Sequence, residues 1–515
     1  MKALISLSDK TNLLQMATRL HQHGVELIST GGTQKTIEEA NLPVKNISEL
    51  THFSEILDGR LKTLHPLVHG GLLGRSRLPT HRQQMAEHQI ERIDFLIVNL
   101  YPFKETVSQK NNTLEACIEQ IDIGGPAMLR SAAKNFEDVI VLCDPADYEP
   151  TISLWEQNLL TKTHRKQLAA KAFRHTASYD AIIADYLTDE LFPEKITLTF
   201  ERQQHLRYGE NPHQRAAFYV NSYPQKNLYN LTNATQLNGK ELSYNNIQDA
   251  NAALQLLKEF DQTTAVAIKH TNPCGVGKGK NPSDALKNCY DADPISIFGG
   301  IVAINTTIDL QTATLLANIF LEIVIAPHFI PEALELLTKK KNLRLLQMSV
   351  LEHSNPENKA VNQQSPTFMP IEGGLLVQET DTHQLTQNDC KIMSILQPNQ
   401  EDFEDILFLW KIVKHTKSNA IVVGKGDKTL GIGAGQQNRI GSALLALTQA
   451  GTQTQGATLV SDAFIPMRDT VDLCAKFGIK TIVQTGGSIK DPEVIEAANQ
   501  HHIVMIFTGI RHFKH

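Results

Sequence analysis

The sequence lacks a Cys-x-x-Cys pair, a long apolar run and a strong excess of charge of either sign. Its 515 residues hold six cysteines, at 117, 143, 274, 289, 390 and 474. Their scatter argues against a disulfide framework and is expected of a chain kept in a reducing cytoplasm. No window approaches the about 18 uninterrupted apolar residues of a membrane-spanning helix. The opening stretch, MKALISLSDKTNLL, has no basic region ahead of an apolar core, so no signal peptide is expected. Lys and Arg number 49 against 55 Asp and Glu, a formal net charge of −6, whereas nucleic-acid-binding domains tend to be strongly basic. What is present is ordinary globular composition, 41% hydrophobic and 20% charged, in a chain long enough for about three domains at roughly 150 residues each. The expectation is a cytoplasmic, multidomain α/β protein with no nucleic-acid or membrane partner.

The first 150 residues alternate short apolar runs with amphipathic stretches. KALISL (2–7), VELIS (25–29), FLIVNL (95–100) and VIVLC (139–143) read as buried strands of a parallel, doubly wound sheet. A helix is expected from Thr11 to His23, capped by Ser8 or Asp9 and closed by Gly24. Residues 151–191 read as mostly helical, and FPEKITLTFERQQ reads as a connector. Strand signals resume at AVAIK (265–269), GIVAIN (300–305), AIVVG (420–424), TIVQ (481–484) and VMIF (504–507). The polar stretch 338–370 reads as an exposed excursion, and no short-period repeat stands out.

Several N-terminal motifs suit an anionic ligand. STGGT (29–33) leaves a strand, turns on two glycines and enters a helix, which aims backbone N–H groups at one point. DGRLKTLHP (58–66) adds Arg60 and Lys62, two cations suited to a phosphorylated substrate. NLYPF (99–103) puts Tyr101 at the carboxyl end of a strand, where open α/β sheets bind ligands. IDIGGPAMLRSAAKN (121–135) adds Asp122, a second Gly-Gly turn and Lys134. Taken singly, each of these is as well explained by a turn or a solvated side chain.

In this order, SLSDKT, STGGT, GRLKTLHP, NLYPF and DIGGPAMLRSAAKN resemble the N-terminal domain of the bifunctional purine-biosynthesis enzymes, the phosphoribosylaminoimidazolecarboxamide (AICAR) formyltransferase/IMP cyclohydrolase family. The resemblance implies a methylglyoxal-synthase-like domain that closes the purine ring. It assigns Lys62, Tyr101, Asp122 and Lys134 as catalytic, with Ser8, Lys10, Ser29, Gly31, Gly32, Thr33 and Arg60 holding the ribonucleotide. Ring closure needs stabilisation of a developing oxyanion and a proton relay, and a Lys/Tyr/Asp set supplies both without a metal.

KHTNPCG (269–275) poses a different question, because His, Cys and Pro in close succession suggest a zinc deaminase. That class needs H-x-E and P-C-x-x-C. Here Asn272 stands where the Glu belongs, and Pro273-Cys274 is followed by Gly-Val-Gly, so the second thiol is missing. One thiol and one imidazole do not make a tetrahedral site, and no zinc is expected. The alternative is direct action by Lys269 and His270, which converge only if the strand ends there. The TNP that follows is expected to break the ladder.

LRYGENPHQ (206–214), KHTNPCG, DADPISIFGGIVA (291–303), VIAPHF (324–329), GGLLVQ (373–378), KHTKSNAIVV (414–423), GIGAGQQNRI (431–440), SDAFIPMRD (461–469) and FTGIRHF (507–513) are similar to the transformylase half of the same family. This implies residues 1–195 as the cyclohydrolase domain with its helical connector, and 196–515 as a transformylase of two cytidine-deaminase-like units. The implied reaction moves a formyl group from 10-formyltetrahydrofolate to the 5-amino group of AICAR. His270 would accept the proton, with Lys269 and Asn419 assisting. Arg207, Tyr208 and Arg511 would anchor AICAR, and Ile295, Phe298, Gly299, Ile440 and Phe464 would line the folate pocket. Met467 stands where relatives commonly carry Phe, and Ser349 where some carry Asp, so no nucleotide contact is assigned to Ser349. The family resemblance also implies a homodimer with composite transformylase sites and allows a structural potassium ion. Two rival readings are a zinc deaminase fused to a nucleotide-binding domain and a non-catalytic phosphate sensor. Neither accounts for both halves.

Overall fold

A computed structural model describes residues 1–109, 112–223, 229–349 and 366–515. The chain divides into two compact units, Met1–Glu201 with Asn221–Gln225, and Arg202–Val220 with Lys226–His515. Residues 350–365, the middle of the expected polar excursion, lie outside the described residues.

The first unit is built on a five-stranded sheet. Lys2–Leu7 lies at its centre, flanked by Glu26–Ser29 and Phe95–Asn99, with Lys45–Asn46 and Ile140–Leu142 at the edges. All four pairings are parallel. Period-two alternation sends Leu4, Leu96 and Val141 into one core with Met128 and Leu129, while Ala3, Ile5, Phe95 and Ile97 face Leu13, Met16 and Leu20 on the other side. Both faces are therefore covered, as a parallel sheet requires. The first helix differs from expectation: it spans Leu13–Gln22, and its N-cap is Asn12 in a left-handed conformation. Asp9 instead accepts the backbone N–H of Thr11 at 2.9 Å, closing the turn ahead of the helix. The expected helical stretch resolves into Tyr148–Glu156 and Lys162–Tyr186.

The second unit carries a twelve-stranded mixed sheet with an internal duplication. In one half, the hairpin Thr264–Lys269/Asn272–Lys278 pairs antiparallel with Ile301–Ile304, followed in parallel by Ile323–Ala326 and Arg344–Gln347, and antiparallel by Thr235–Asn238. The other half repeats the plan: Ile421–Lys425/Lys428–Gly433, then Thr458–Ser461, Thr481–Gln484, Val504–Phe507 and Lys391–Ile392. This is the tandem α/β architecture expected from sequence. The halves join where Gly277 pairs with Lys428. One face of the whole sheet packs on the helices Tyr244–Leu257 and Gln400–Val413 in a single core, and the opposite face is covered separately in each half.

The glycine patch after KHTNPC serves packing. A Cβ at Gly275 or Gly277 would overlap the backbone of Cys289 in the Pro282–Ala292 helix, and one at Gly431 or Gly433 would overlap the carbonyl of Ala446 or Ser442 in the Arg439–Ala450 helix. Each half thus uses a Gly-x-Gly strand to admit a helix at backbone distance.

Candidate active sites

In the first unit the loops at the carboxyl edge of the parallel sheet are locked to one another. The Asn99 side chain accepts the N–H groups of Ser8 and Asp9 at 2.7 and 3.0 Å and donates to the Asp9 carbonyl at 2.7 Å. Thr33 Oγ1 accepts from Leu7 N–H at 2.9 Å and donates back to the Leu7 carbonyl, and Ser29 Oγ donates to the Ile5 carbonyl at 2.8 Å. Ser29 and Thr33 are buried, so their hydroxyls hold the scaffold. Gly31 and Gly32 are exposed at the start of the Gly31–Glu39 helix. The Lys10 ammonium lies 3.5 Å from where a Gly32 Cβ would stand, adding a cation to that helix N-terminus. Ser8 is exposed beside it.

Lys62, Tyr101 and Asp122 come together on the same edge. Asp122 Oδ1 accepts the Gly125 N–H at 2.8 Å. Burial holds its carboxyl above the usual carboxylate range, against the opposing pull of Gly125, the Lys62 ammonium and the backbone of Tyr101. Lys62 also stands 4.0 Å from Glu55, and Arg60 is paired with Glu119. Tyr179, on the Lys162–Tyr186 helix, accepts the Asp122 N–H at 2.8 Å and donates to the Gln120 carbonyl at 2.9 Å. This support was invisible in sequence, because Tyr179 lies far along the chain on a helix whose pattern reads only as amphipathic. Among the described residues no hydrogen bond or ion pair joins Lys134 to these three. It ends the Gly124–Lys134 helix, exposed, and ten residues of helix place it about 15 Å along the axis from the end beside Asp122.

In the second unit, His270 and Thr271 form a two-residue hairpin turn, with φ of 53° and 63°. Lys269 and Asn272 face each other across it. The strand does end at Lys269, but TNP does not break the ladder: Pro273 sits inside the returning strand, and a bulge between Pro273 and Gly275 absorbs its missing N–H. Lys269 Nζ donates to the Phe298 carbonyl at 2.7 Å, which brings the 295–299 loop to the hairpin. Phe298 packs on Phe320 with centroids 5.0 Å apart, and the Gly299 N–H donates to the Phe320 carbonyl. Ile295 and Phe298 remain exposed. Cys274 turns its thiol to the Ala267 carbonyl at 3.5 Å, and burial pushes that thiol up to about 12, the opposite of a poised metal thiolate.

The other half contributes through a buried ion pair. Arg439 Nη1 meets the Asp462 carboxylate, and Nη2 donates to Asn419 Oδ1 at 2.9 Å. Asn419 is further held by its own Nδ2 on the Gln436 carbonyl at 2.9 Å. Asp462 also accepts from Ser418 Oγ, and its carbonyl takes the His512 N–H at 3.0 Å. This pair therefore gathers Asn419, Ile440, Phe464 and Arg511, each within two residues of one of its contacts. Arg511 stacks on Phe513 at 4.3 Å. Met467, Phe464 and Ile440 are exposed. Arg207 and Tyr208 stack on each other at 5.6 Å; among the described residues no hydrogen bond joins them to Lys269 or Asn419.

A second Lys-His pair is formed by Lys414 and His415. Glu259 accepts from Lys414 Nζ at 3.0 Å and His415 Nε2 at 2.9 Å, all three nearly out of solvent. The two partners hold the Glu259 carboxyl down to about 2, while burial keeps the His415 imidazole below its ordinary value. Among the described residues no group of three or more His, Cys, Asp or Glu is placed to hold a metal ion, and no helix is long and apolar enough to cross a membrane.

Comparison with known proteins agrees over the full length. The profile described as AICARFT/IMPCHase bienzyme matches residues 132–449, and the MGS-like domain profile matches residues 12–127. The bifunctional purine biosynthesis proteins PurH of Oceanobacillus iheyensis and Bacillus subtilis are each 52% identical, over 100% of this chain and 99% of their own. A solved chain described as the crystal structure of ForH matches 36% of this chain and 95% of its own at 39% identity, with a TM-score of 0.34, too low to bear on the fold. The chain belongs to the AICARFT/IMPCHase bienzyme family.

Proposed function

We propose that the N-terminal unit closes the purine ring and that the C-terminal unit transfers the formyl group, so that the chain performs the last two steps to IMP. As a family member it is a bifunctional enzyme, with formyltetrahydrofolate as co-substrate of the first reaction. The observation that carries the division of labour is the pair of separate polar clusters, Lys62/Tyr101/Asp122 in one unit and Lys269/His270 with Asn419 in the other.

In formyl transfer the 5-amino nitrogen of AICAR bonds to the formyl carbon of 10-formyltetrahydrofolate. His270 takes the proton lost by that nitrogen. The bond from the formyl carbon to N10 then breaks, and N10 gains a proton to release tetrahydrofolate. Lys269 and Asn419 orient the nucleotide and offset the charge that develops on the formyl oxygen. Arg511, with Arg207 and Tyr208, holds the AICAR phosphate, and Ile295, Phe298, Gly299, Ile440 and Phe464 form the apolar folate wall. In ring closure the carboxamide nitrogen attacks the formyl carbon and water leaves. Lys62 and Tyr101 steady the oxyanion, and Asp122 moves the proton. Gly31, Gly32, Lys10, Ser8 and Arg60 hold the ribonucleotide phosphate, with Ser29 and Thr33 shaping the loop from beneath.

A homodimer with composite transformylase sites, in the cytoplasm, completes the proposal. It is supported by the exposed apolar side chains Ile295 and Phe298 and by the two-stranded ribbon Pro366–Ile371/Gly374–Glu379, which leaves Phe368, Met369 and Leu376 in solvent. The deciding experiment supplies AICAR and 10-formyltetrahydrofolate and follows tetrahydrofolate and IMP separately. His270→Ala is expected to stop folate turnover, by ~10²–10⁴-fold, while supplied formyl-AICAR still closes. Undiminished folate turnover in that variant would remove His270 from the mechanism.

A further inference from the structure

We infer that Asn272 is a positioning residue for formyl transfer, the carboxamide that fixes His270 of one half of the sheet against the 417–419 segment of the other. The inference rests on the assignment of His270 as proton acceptor.

The hairpin turn is not one its residues prefer. His270 and Thr271 both have positive φ, a combination favoured by Asn, Asp and Gly and resisted above all by a β-branched residue such as Thr. Tertiary ties must hold it. The Asp249 carboxylate accepts the Thr271 N–H at 2.7 Å, and Asn272 Nδ2 donates to the His270 carbonyl at 3.2 Å. The other end of the same carboxamide leaves the hairpin: Asn272 Oδ1 accepts the backbone N–H of Lys417 at 3.0 Å. Two residues on stands Asn419, which Arg439 and Gln436 lock in place.

A carbonyl on one side and an N–H on the other accept only one orientation of an amide, so the contact reads residue type. Asp would keep the acceptor and lose the donor, and Ser is too short to span both. The bridge also stands where the sheet supplies no ladder. The halves pair at Gly277 and Lys428, with supporting bonds from Val276 N–H to Thr429 Oγ1 at 3.0 Å and from Lys278 N–H to the Asp427 carbonyl at 2.7 Å. All of these lie toward the far end of the Asn272–Lys278 strand. The separation of His270 from Asn419 is thus set at the catalytic end by a side chain.

The test uses the full-length enzyme with AICAR and 10-formyltetrahydrofolate, and compares Asn272→Ala, Asn272→Asp and His270→Ala. Misplacing a reacting group by about 1 Å costs up to ~10²-fold. Both Asn272 variants are therefore expected to lose roughly 10–100-fold in kcat, with KM for either substrate changed less than about 3-fold. In a His270→Ala background, Asn272→Ala is expected to add nothing, because its effect passes through His270. Far-UV circular dichroism and the urea midpoint report folding, and if the Ala variant fails to fold, the isosteric Asp variant decides. Near-normal kcat in the Asn272 variants beside a dead His270→Ala would overturn the inference and leave the base assignment standing. Additive losses in the double variant would also overturn it, as the mark of general destabilisation. Normal turnover in His270→Ala would remove the base assignment itself.

Discussion

Arg439 and Asp462 form an ion pair with side chains only 5% and 0% exposed, and the guanidinium that neutralises the carboxylate also grips Asn419. Removing one partner leaves a buried charge uncompensated. Arg439→Met is expected to destabilise the unit by about 3–5 kcal/mol, read as a lower urea midpoint. Formyl transfer should fall with it even under conditions where the variant is folded, since Asn419 loses its anchor.

Ring closure should separate cleanly from transfer. Lys62→Met and Asp122→Asn are expected to slow closure of supplied formyl-AICAR by on the order of 10²-fold, with tetrahydrofolate release from AICAR unchanged. Lys134→Ala, at the opposite end of its helix, should keep closure within about 3-fold of wild type by the same geometry. A large loss in Lys134→Ala would show that the substrate contacts the far end of that helix.

Asp122 gives closure a pH signature. Burial raises its folded pKa above 3.8, so the acid limb of kcat/KM for closure should lie above the pH at which an ordinary carboxylate titrates. Asp122→Asn should abolish that limb, and a limb that persists in the variant assigns it to another group.

The buried Glu259 cluster predicts acid lability in the second unit. Glu259 titrates at about 2 in the fold against 4.5 as an ordinary carboxylate, so its contribution is fully present above pH 4.5 and is lost as pH falls toward 2. His415, also depressed, acts in the same direction: below its ordinary value of 6.5 the unfolded chain takes up a proton that the folded one refuses. Both slopes are positive with pH, and Glu259 accounts for roughly 3 kcal/mol of the change. Measured unfolding free energy should fall below pH 6.5 through His415 and fall further between about pH 4.5 and 2 through Glu259, and Glu259→Gln should remove the lower step.

The sheet strands were legible because they follow short-range rules, whereas the clustered site residues stood out only through the family resemblance. Short apolar runs marked Lys2–Leu7, Thr481–Gln484 and Val504–Phe507 to the residue. What stayed hidden depends on distant pairing. Ser29 and Thr33 sit in a motif that suggests ligand contact, yet their hydroxyls are used by Ile5 and Leu7 on the neighbouring strand. Tyr179 supports Asp122 from 57 residues away. The duplication of the second unit was expected only from the family resemblance, because the two KHT motifs sit differently: His270 and Thr271 form a turn, whereas residues 414–416 precede a strand. The echo of GVGKG in GIGAG was its sequence trace: both admit a helix onto the strand.

The ladder between the halves is a single pairing, Gly277 with Lys428, and the shared core beneath the sheet carries the rest of their union. Each half covers its own outer face, while the inner face is one core to which both contribute. The residues proposed for formyl transfer stand on both sides of the seam, so the proposed site needs both halves. Loss of the contacts across the seam should therefore cost activity before it costs either outer core. In hydrogen exchange the amides of Lys417 and Val276, which bond across the seam, should open together and more readily than the strands behind them.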